Sequence, residues 1–194
     1  MLYPTGGRDL YCNVKFIAGQ RLTVEHVYAA DWIATHHGCK NRHTCPIPIP
    51  LYGFAEADLH NLWPAVGAIN SSRGNKLFVE IPGNKRTLPA GVADLRCDYE
   101  RTTGTDAIVE PRDPVKGEIA RSLFYMHVEY GLRLNGMTPM LKRWHFADPP
   151  NRAEHSQNKA IEKLQSIRNR FIDAPSFAAA LESRSQNLCS RNPF

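Results

Sequence analysis

The apolar and polar positions near the N-terminus predict two short strands. The segments LYCNVKFI and RLTVEHV are rich in β-branched and aromatic residues, and the intervening AGQ contains Gly19, which suits a turn. We therefore expect a β-hairpin over residues 10–27. Residues 34–53 are rich in His, Cys, Pro and Gly, a composition that favours a loop.

The middle of the chain carries a mixed pattern. EADLHNLWPAVGAINSSRGN, residues 56–75, is predicted to be helical. It forms either two short helices or one that begins at Pro64, because proline is tolerated only in the first turn of a helix. LFVEIP predicts a third strand, and residues 82–107 look irregular.

The C-terminal half is predicted to be mainly helical. KGEIARSLFYMHVEYGL has the strongest helical periodicity in the chain, with a common face formed by Ile119, Leu123, Phe124, His127 and Tyr130. Weaker helical patterns occupy about 138–146, 152–168 and 175–184.

Length and charge narrow the class of protein. A chain of 194 residues with 42% apolar content fits one domain, 1–194, with a sizeable core. The net charge of +5 weakly favours a polyanionic partner such as nucleic acid. No run approaches the roughly 18 apolar residues of a membrane helix, and the N-terminus lacks the pattern of a signal peptide. We expect a monomer that does not bind membranes.

The five cysteines are Cys12, Cys39, Cys45, Cys97 and Cys189. They form no CxxC pair, which argues against a zinc ribbon and mildly favours an oxidising compartment. Cys39 and Cys45 could close a small loop, and Cys12 and Cys97 could tie the first strand to a distant loop. Five unconnected buried thiols are the alternative.

Adjacent ionisable residues interrupt the second predicted strand. Neighbouring side chains of a strand point to opposite faces, so Glu25 and His26 cannot both lie on one solvated edge. Together with Asn61 and Asn70 they could form a metal site, because carboxylate and amide oxygens suit Mg²⁺ and a neutral imidazole can accept a proton from water. A surface glutamate, a structural histidine and asparagine helix caps are the alternatives.

Three motifs in a fixed order resemble a known family. VEHV, DLHNLWPAVGAINSSRGN and EPRDPVKGEIARSLFYMHVEYGL are similar to segments of bacterial endonuclease I proteins, the periplasmic and secreted non-specific nucleases of the ββα-metal, or His-Me finger, type. The likeness extends from about Tyr11 to Asp173. It implies an α+β fold with a ββα-metal core at about 9–76 and a mainly helical remainder at about 113–185 packed around it.

The resemblance also implies roles for individual residues. His26 would be the general base, Glu25 and Asn70 would bind Mg²⁺, and Asn61 would orient the loop and the histidine. The same set of ligands could bind Mn²⁺ or Ca²⁺ in place of Mg²⁺.

Three further side chains acquire roles from the resemblance. Arg42 would grip the scissile phosphate, Arg73 would contact the nucleic acid or cap a helix, and Glu56 would hydrogen-bond a metal-bound water. The retained disulfides would be Cys12 with Cys97 and Cys39 with Cys45.

The implied activity is metal-dependent, sequence-independent hydrolysis of DNA, and also of RNA, to 5′-phosphate and 3′-hydroxyl ends. The implied location is the periplasm or the outside of the cell.

A zinc-ordered module that binds nucleic acid without cutting it is the rival interpretation. The segment HHGCKNRHTC offers the potential zinc ligands His36, His37, Cys39, His43 and Cys45. A disulfide between the two cysteines would exclude both of them as ligands.

Overall fold

The fold is described from a computed structural model that covers residues 3, 5–20, 22–45, 50–83, 85–89, 91–92 and 97–182. Its strands are Gly7–Arg8 (β1), Lys15–Phe16 (β2), Thr23–His26 (β3), Leu62–Ala65 (β4), Tyr99–Arg101 (β5) and Val109–Pro111 (β6). Its α-helices are Ala30–His36 (α1), Pro50–Ala57 (α2), Gly67–Arg73 (α3), Lys116–Tyr130 (α4), Thr138–Ala147 (α5), Arg152–Gln165 (α6) and Arg170–Asp173 (α7). Short 3₁₀ helices span Arg42–Thr44, Asp113–Val115 and Pro175–Ala180. The mixture of helices and small antiparallel sheets confirms the α+β class.

The predicted hairpin over residues 10–27 is wrong. β3 pairs antiparallel with β4, so that Glu25 faces Trp63 and His26 faces Leu62, while β2 pairs with β1. The partner of β3 was predicted to be helical. Pro64 disfavours a helical conformation for the residue before it, and it is tolerated in β4 because a two-stranded sheet has no central strand.

Residues 56–75 were expected to form two short helices or one that begins at Pro64, whereas the helix begins three residues after that proline, at Gly67. It follows β4 after the single residue Val66 and packs against β3. The chain therefore places two antiparallel strands and a short helix together, with α1, a 3₁₀ turn and α2 inserted between the strands. α1 and α2 also correct the prediction that all of residues 34–53 form a loop.

Two smaller elements differ from expectation. LFVEIP contributes only an isolated bridge between Phe78 and Val109, and the segment predicted to be irregular contains β5. Both form because β6 brings hydrogen-bonding partners from a later part of the chain.

The central helix of the core is α4, as its periodicity predicts. Ile119, Leu123 and Phe124 are fully buried, and α4 packs against α2, α5 and α7. The buried apolar cluster joins α4 to residues of the N-terminal half, such as Tyr11 and Ile69. A helix buried on most sides is typical of the centre of a domain. The helices α5 and α6 also match their predicted positions.

Two disulfides confirm the predicted pairs. Cys12 is bonded to Cys97, and Cys39 is bonded to Cys45. Cys189, which these two pairs leave over, lies outside the described residues. Among the helices described, none is both long and apolar enough to cross a bilayer.

Candidate active site

An open cleft of about 400 Å³ lies where β3 ends beside α3. Its lining includes Glu25, His26, Arg42 and Asn70, four of the residues singled out in the sequence. The β3–β4 pairing fixes the first two, α3 presents Asn70, and the loop closed by the Cys39–Cys45 disulfide carries Arg42. The fold therefore brings together residues that are up to 45 positions apart in the chain.

His26 has a defined orientation in this cleft. Its Nε2 lies 3.1 Å from the backbone carbonyl oxygen of Glu56. A carbonyl oxygen can only accept a hydrogen bond, so Nε2 carries the proton and Nδ1 of the neutral ring is an acceptor. Burial, and after it the positive charge of Arg42, lower the pKa of His26, while Glu56 opposes the shift. The imidazole is therefore neutral at pH 7, with Nδ1 able to accept a proton.

Glu25 is among the residues that line the cleft and is almost fully buried, at 1% exposure. The Tyr11 hydroxyl donates to its Oε1 at 2.6 Å, and the Arg73 guanidinium lies 3.1 Å from the same oxygen. Burial raises the pKa of the Glu25 carboxyl, whereas Arg73 and Tyr11 lower it. Arg73 and Tyr11 thus offset part of the cost of burying this carboxylate, and both of their contacts are made to the same oxygen.

Asn70 is held against β3 by its amide nitrogen. Nδ2 donates to Thr23 Oγ1 and to the carbonyl oxygen of Val24, both at 3.0 Å. These bonds fix which side of the amide faces the strand, so Oδ1 is directed away from β3. Carboxylate and amide oxygens on one cleft are the donors that Mg²⁺ prefers, and the residues present fit such an ion.

Arg42 and Glu56 form an ion pair beside His26. Arg42 Nε lies 2.6 Å from Glu56 Oε1, and the Arg42 side chain is 47% exposed. The Arg42 backbone N–H donates to Asp31 Oδ1, which anchors the turn. Glu56 therefore contacts His26 with its main chain and Arg42 with its carboxylate, and its expected hydrogen bond to a metal-bound water stays a prediction.

Asn61 is fully buried and does not line the cleft. Its Oδ1 accepts from the backbone N–H of Tyr28 at 2.6 Å, and its Nδ2 donates to the carbonyl of Tyr28 at 3.0 Å. A side-chain amide that brackets one residue in this way fixes the local backbone. Asn61 thus acts on the chain two residues after His26 and does not touch the ring.

The prediction that Arg73 contacts nucleic acid is wrong. The side chain is 0% exposed, and its terminal nitrogens donate to the carbonyl oxygens of His26 and Val27 at 2.7 and 2.6 Å. The guanidinium also lies over the rings of Trp32 and Phe78. Arg73 therefore binds the end of β3 from inside the protein and neutralises Glu25.

Sequence reasoning missed three residues that hold the site in place: Tyr11, Thr23 and Asp31. They contact Glu25, Asn70 and the Arg42 backbone respectively. Tyr11 is 14 positions from Glu25, and Thr23 is 47 positions from Asn70. No local spacing links such pairs, so only the tertiary structure reveals them.

The zinc interpretation is not supported by the geometry. Cys39 and Cys45 are oxidised to a disulfide, which removes both thiolates from the proposed ligand set. Within the described part of the chain, no group of three or more His, Cys, Asp or Glu residues is arranged to hold a metal ion.

Comparison with known proteins finds one matching family model and several similar proteins. The family model of endonuclease I matches residues 8–176. The chain is 35% identical over 119 residues to a periplasmic deoxyribonuclease of Aeromonas hydrophila, covering 61% of this chain and 48% of that protein. It is 35% identical over 147 residues to an extracellular ribonuclease of Bacillus subtilis, covering 62% and 45%. An endonuclease-1 of Buchnera aphidicola is 30% identical over 155 residues, covering 78% and 61%. The chain thus spans about half the length of the first relatives.

Proposed function

This chain belongs to the endonuclease I family, and from that premise we propose that it is a metal-dependent nuclease that hydrolyses phosphodiester bonds within DNA and RNA. The observation that supports this most directly is the orientation of His26, a residue that lines the cleft: its Nε2 is bonded to a backbone carbonyl, which leaves Nδ1 of the neutral ring as an acceptor. We further propose that β3, β4 and α3 form the ββα-metal core, which is narrower than the range 9–76 expected from the sequence. Relatives named as a deoxyribonuclease and as a ribonuclease support both polymers.

In the proposed reaction, His26 Nδ1 accepts a proton from the water that attacks phosphorus. The bond between phosphorus and the 3′ oxygen breaks, the departing oxygen takes a proton from solvent water, and the products carry 5′-phosphate and 3′-hydroxyl ends. Arg42 binds a non-bridging oxygen of the scissile phosphate, exchanging its Glu56 partner for the substrate. This exchange costs little free energy, because a partly exposed ion pair contributes little to stability.

Glu25 and Asn70 are the residues that would hold a divalent cation such as Mg²⁺. When bound, such a cation would supply positive charge that stabilises the negative charge developing on the phosphate and departing oxygens in the transition state. Glu25 shares its charge with Arg73, and Asn70 is neutral, so the protein side chains compensate little of the charge of a cation. We therefore expect the cation to be held loosely and to exchange with the solution.

Sequence-independent cutting is supported by the chemistry of the cleft. Its cationic and metal-binding groups suit phosphates, and phosphate contacts carry no base information. We propose a periplasmic or secreted location, which the names of the relatives and the two disulfides support.

The test is incubation of the protein with supercoiled plasmid in Mg²⁺ and in EDTA. We expect nicking followed by degradation in Mg²⁺, no cutting in EDTA, and fragment ends without a consensus when sequenced. Undiminished cutting in EDTA, by protein that elemental analysis shows to be free of bound metal, would refute the proposed site. A fixed motif of four or more bases at every end would refute the proposed specificity.

A further inference from the structure

Two cations beside the cleft have no role in the chemistry described above. Lys76 follows the end of α3, and Arg101 ends β5. Both side chains are partly buried. Within the described ranges, neither forms an ion pair with a carboxylate within 4 Å, although the surface carries several such pairs.

Lys76 lies next to the rim of the cleft, and Arg101 contacts the helix that contributes to its lining. Lys76 Nζ lies 3.7 Å from the point that a Cβ on Gly74 would occupy, and Gly74 lines the cleft. Arg101 reaches the same helix, since its NH1 donates to Ser72 Oγ at 3.4 Å. Ser71, the residue before that serine, also lines the cleft.

Bringing these cations together carries a cost. Burial, and then the charges of Arg101 and Arg73, lower the pKa of Lys76. Like charges in a partly desolvated position repel each other, and an anion between them would offset that repulsion. The structure thus creates a position where negative charge is favoured.

We propose that Lys76 and Arg101 bind a phosphate that flanks the scissile one in the nucleic-acid strand. This inference rests on the proposed nuclease function and extends it. Arg42 lies on the loop closed by the Cys39–Cys45 disulfide, whereas Lys76 follows the end of α3 and Arg101 hydrogen-bonds to that helix from the end of β5, so the two positions serve different phosphates of one strand. The subsite favours a polymer over a single phosphodiester.

The experiment compares Lys76→Ala and Arg101→Ala with the parent protein on two substrates. One is a labelled single-stranded oligonucleotide, and the other is bis(p-nitrophenyl) phosphate, which has one phosphodiester and no flanking phosphate. Lys159→Ala, on the exposed face of α6, is the matched control for the loss of one positive charge. Lys76→Arg tests whether a retained charge preserves function.

With the oligonucleotide, we expect KM to rise about fivefold or more in each alanine variant while kcat changes little. The slope of log Kd against log salt should decrease in magnitude by about 0.7, the value for one phosphate contact on a single strand. Hydrolysis of bis(p-nitrophenyl) phosphate should be unchanged, and free inorganic phosphate should compete for the oligonucleotide only weakly. Lys76→Arg and Lys159→Ala should match the parent.

Unchanged KM and salt slope in both alanine variants would overturn the proposal. Equal losses on the two substrates would also overturn it, because they would indicate damage to the catalytic groups. Strong competition by inorganic phosphate would identify a free-anion site instead of a strand contact. If the parent hydrolyses neither substrate, the proposed function fails, and fluorescence anisotropy of the oligonucleotide in Ca²⁺ still tests the subsite through Kd and its salt slope.

Discussion

Replacing His26 with alanine tests the assignment of the general base. The ring makes one hydrogen bond, to the Glu56 carbonyl, and is only partly buried. Losing such a bond costs about 1 kcal/mol of folding free energy, so the variant should still fold. Losing a general base should reduce kcat by a factor of about 10² to 10⁴, which corresponds to roughly 3 to 5.5 kcal/mol of barrier.

His26→Gln is the matched control. Its side-chain amide can donate to the Glu56 carbonyl, but it cannot act as a base near pH 7. We therefore expect His26→Gln to recover part of the stability lost in His26→Ala and none of the activity.

The assay is kcat for a labelled oligonucleotide at saturating Mg²⁺, with Kd measured separately by anisotropy in Ca²⁺. Kd should change little, because the proposed phosphate contacts come from Arg42, Lys76 and Arg101. Thermal unfolding of each variant checks the fold. If His26→Ala retained kcat within about threefold of the parent, below the range for general-base catalysis, the mechanism would be wrong.

Three other predictions concern stability. Burial, and then the charge of Glu154, raise the pKa of Glu118 from 4.5 to about 7, so ionisation destabilises the fold as pH rises through this range. Glu118→Gln should therefore increase the free energy of unfolding at pH 8 by up to about 3 kcal/mol and confer no such gain below pH 4.5, as measured by urea titration at both pH values. The double variant Cys12→Ser/Cys97→Ser should lose up to about 4.5 kcal/mol in the same titration, since the disulfide spans 85 positions; a loss below about 1 kcal/mol would contradict this. Arg73→Met should lose about 3 to 5 kcal/mol by leaving Glu25 buried without its cation, and an unchanged unfolding midpoint would contradict this role.

The sequence predicted elements whose signal is local. The periodicity that places Ile119, Leu123 and Phe124 on one face comes from the segment itself, and α4 forms where expected. The partner of β3 lies about 40 positions away and contains Pro64, so no local pattern links the two strands. The predicted hairpin failed because sequence proximity is a weak guide to strand pairing when a helical insertion intervenes.

In the candidate site, too, the features visible in local sequence were predicted and the long-range contacts were not. The motifs correctly singled out His26 and Asn70 as residues of one cleft, since their chemistry and order are visible in the sequence. They could not show that Arg73 is buried, because arginine is usually exposed and only the tertiary structure reveals its partners. Tyr11 was missed for the related reason that a core tyrosine and a tyrosine that holds Glu25 look identical in sequence.

The bond between His26 and the main chain of Glu56 has a consequence for genetic experiments on this protein. Every amino acid carries the same backbone carbonyl, so no substitution at position 56 deletes the group that accepts from the imidazole. A deep mutational scan would report only the loss of the carboxylate that faces Arg42, and would score the position as tolerant wherever that loss is mild. Evolution can therefore vary the side chain at position 56 while the tautomer of the base is inherited through the path of the polypeptide. Replacing the amide that follows Glu56 with an ester would change this carbonyl group, and would therefore reveal what its hydrogen bond to His26 contributes.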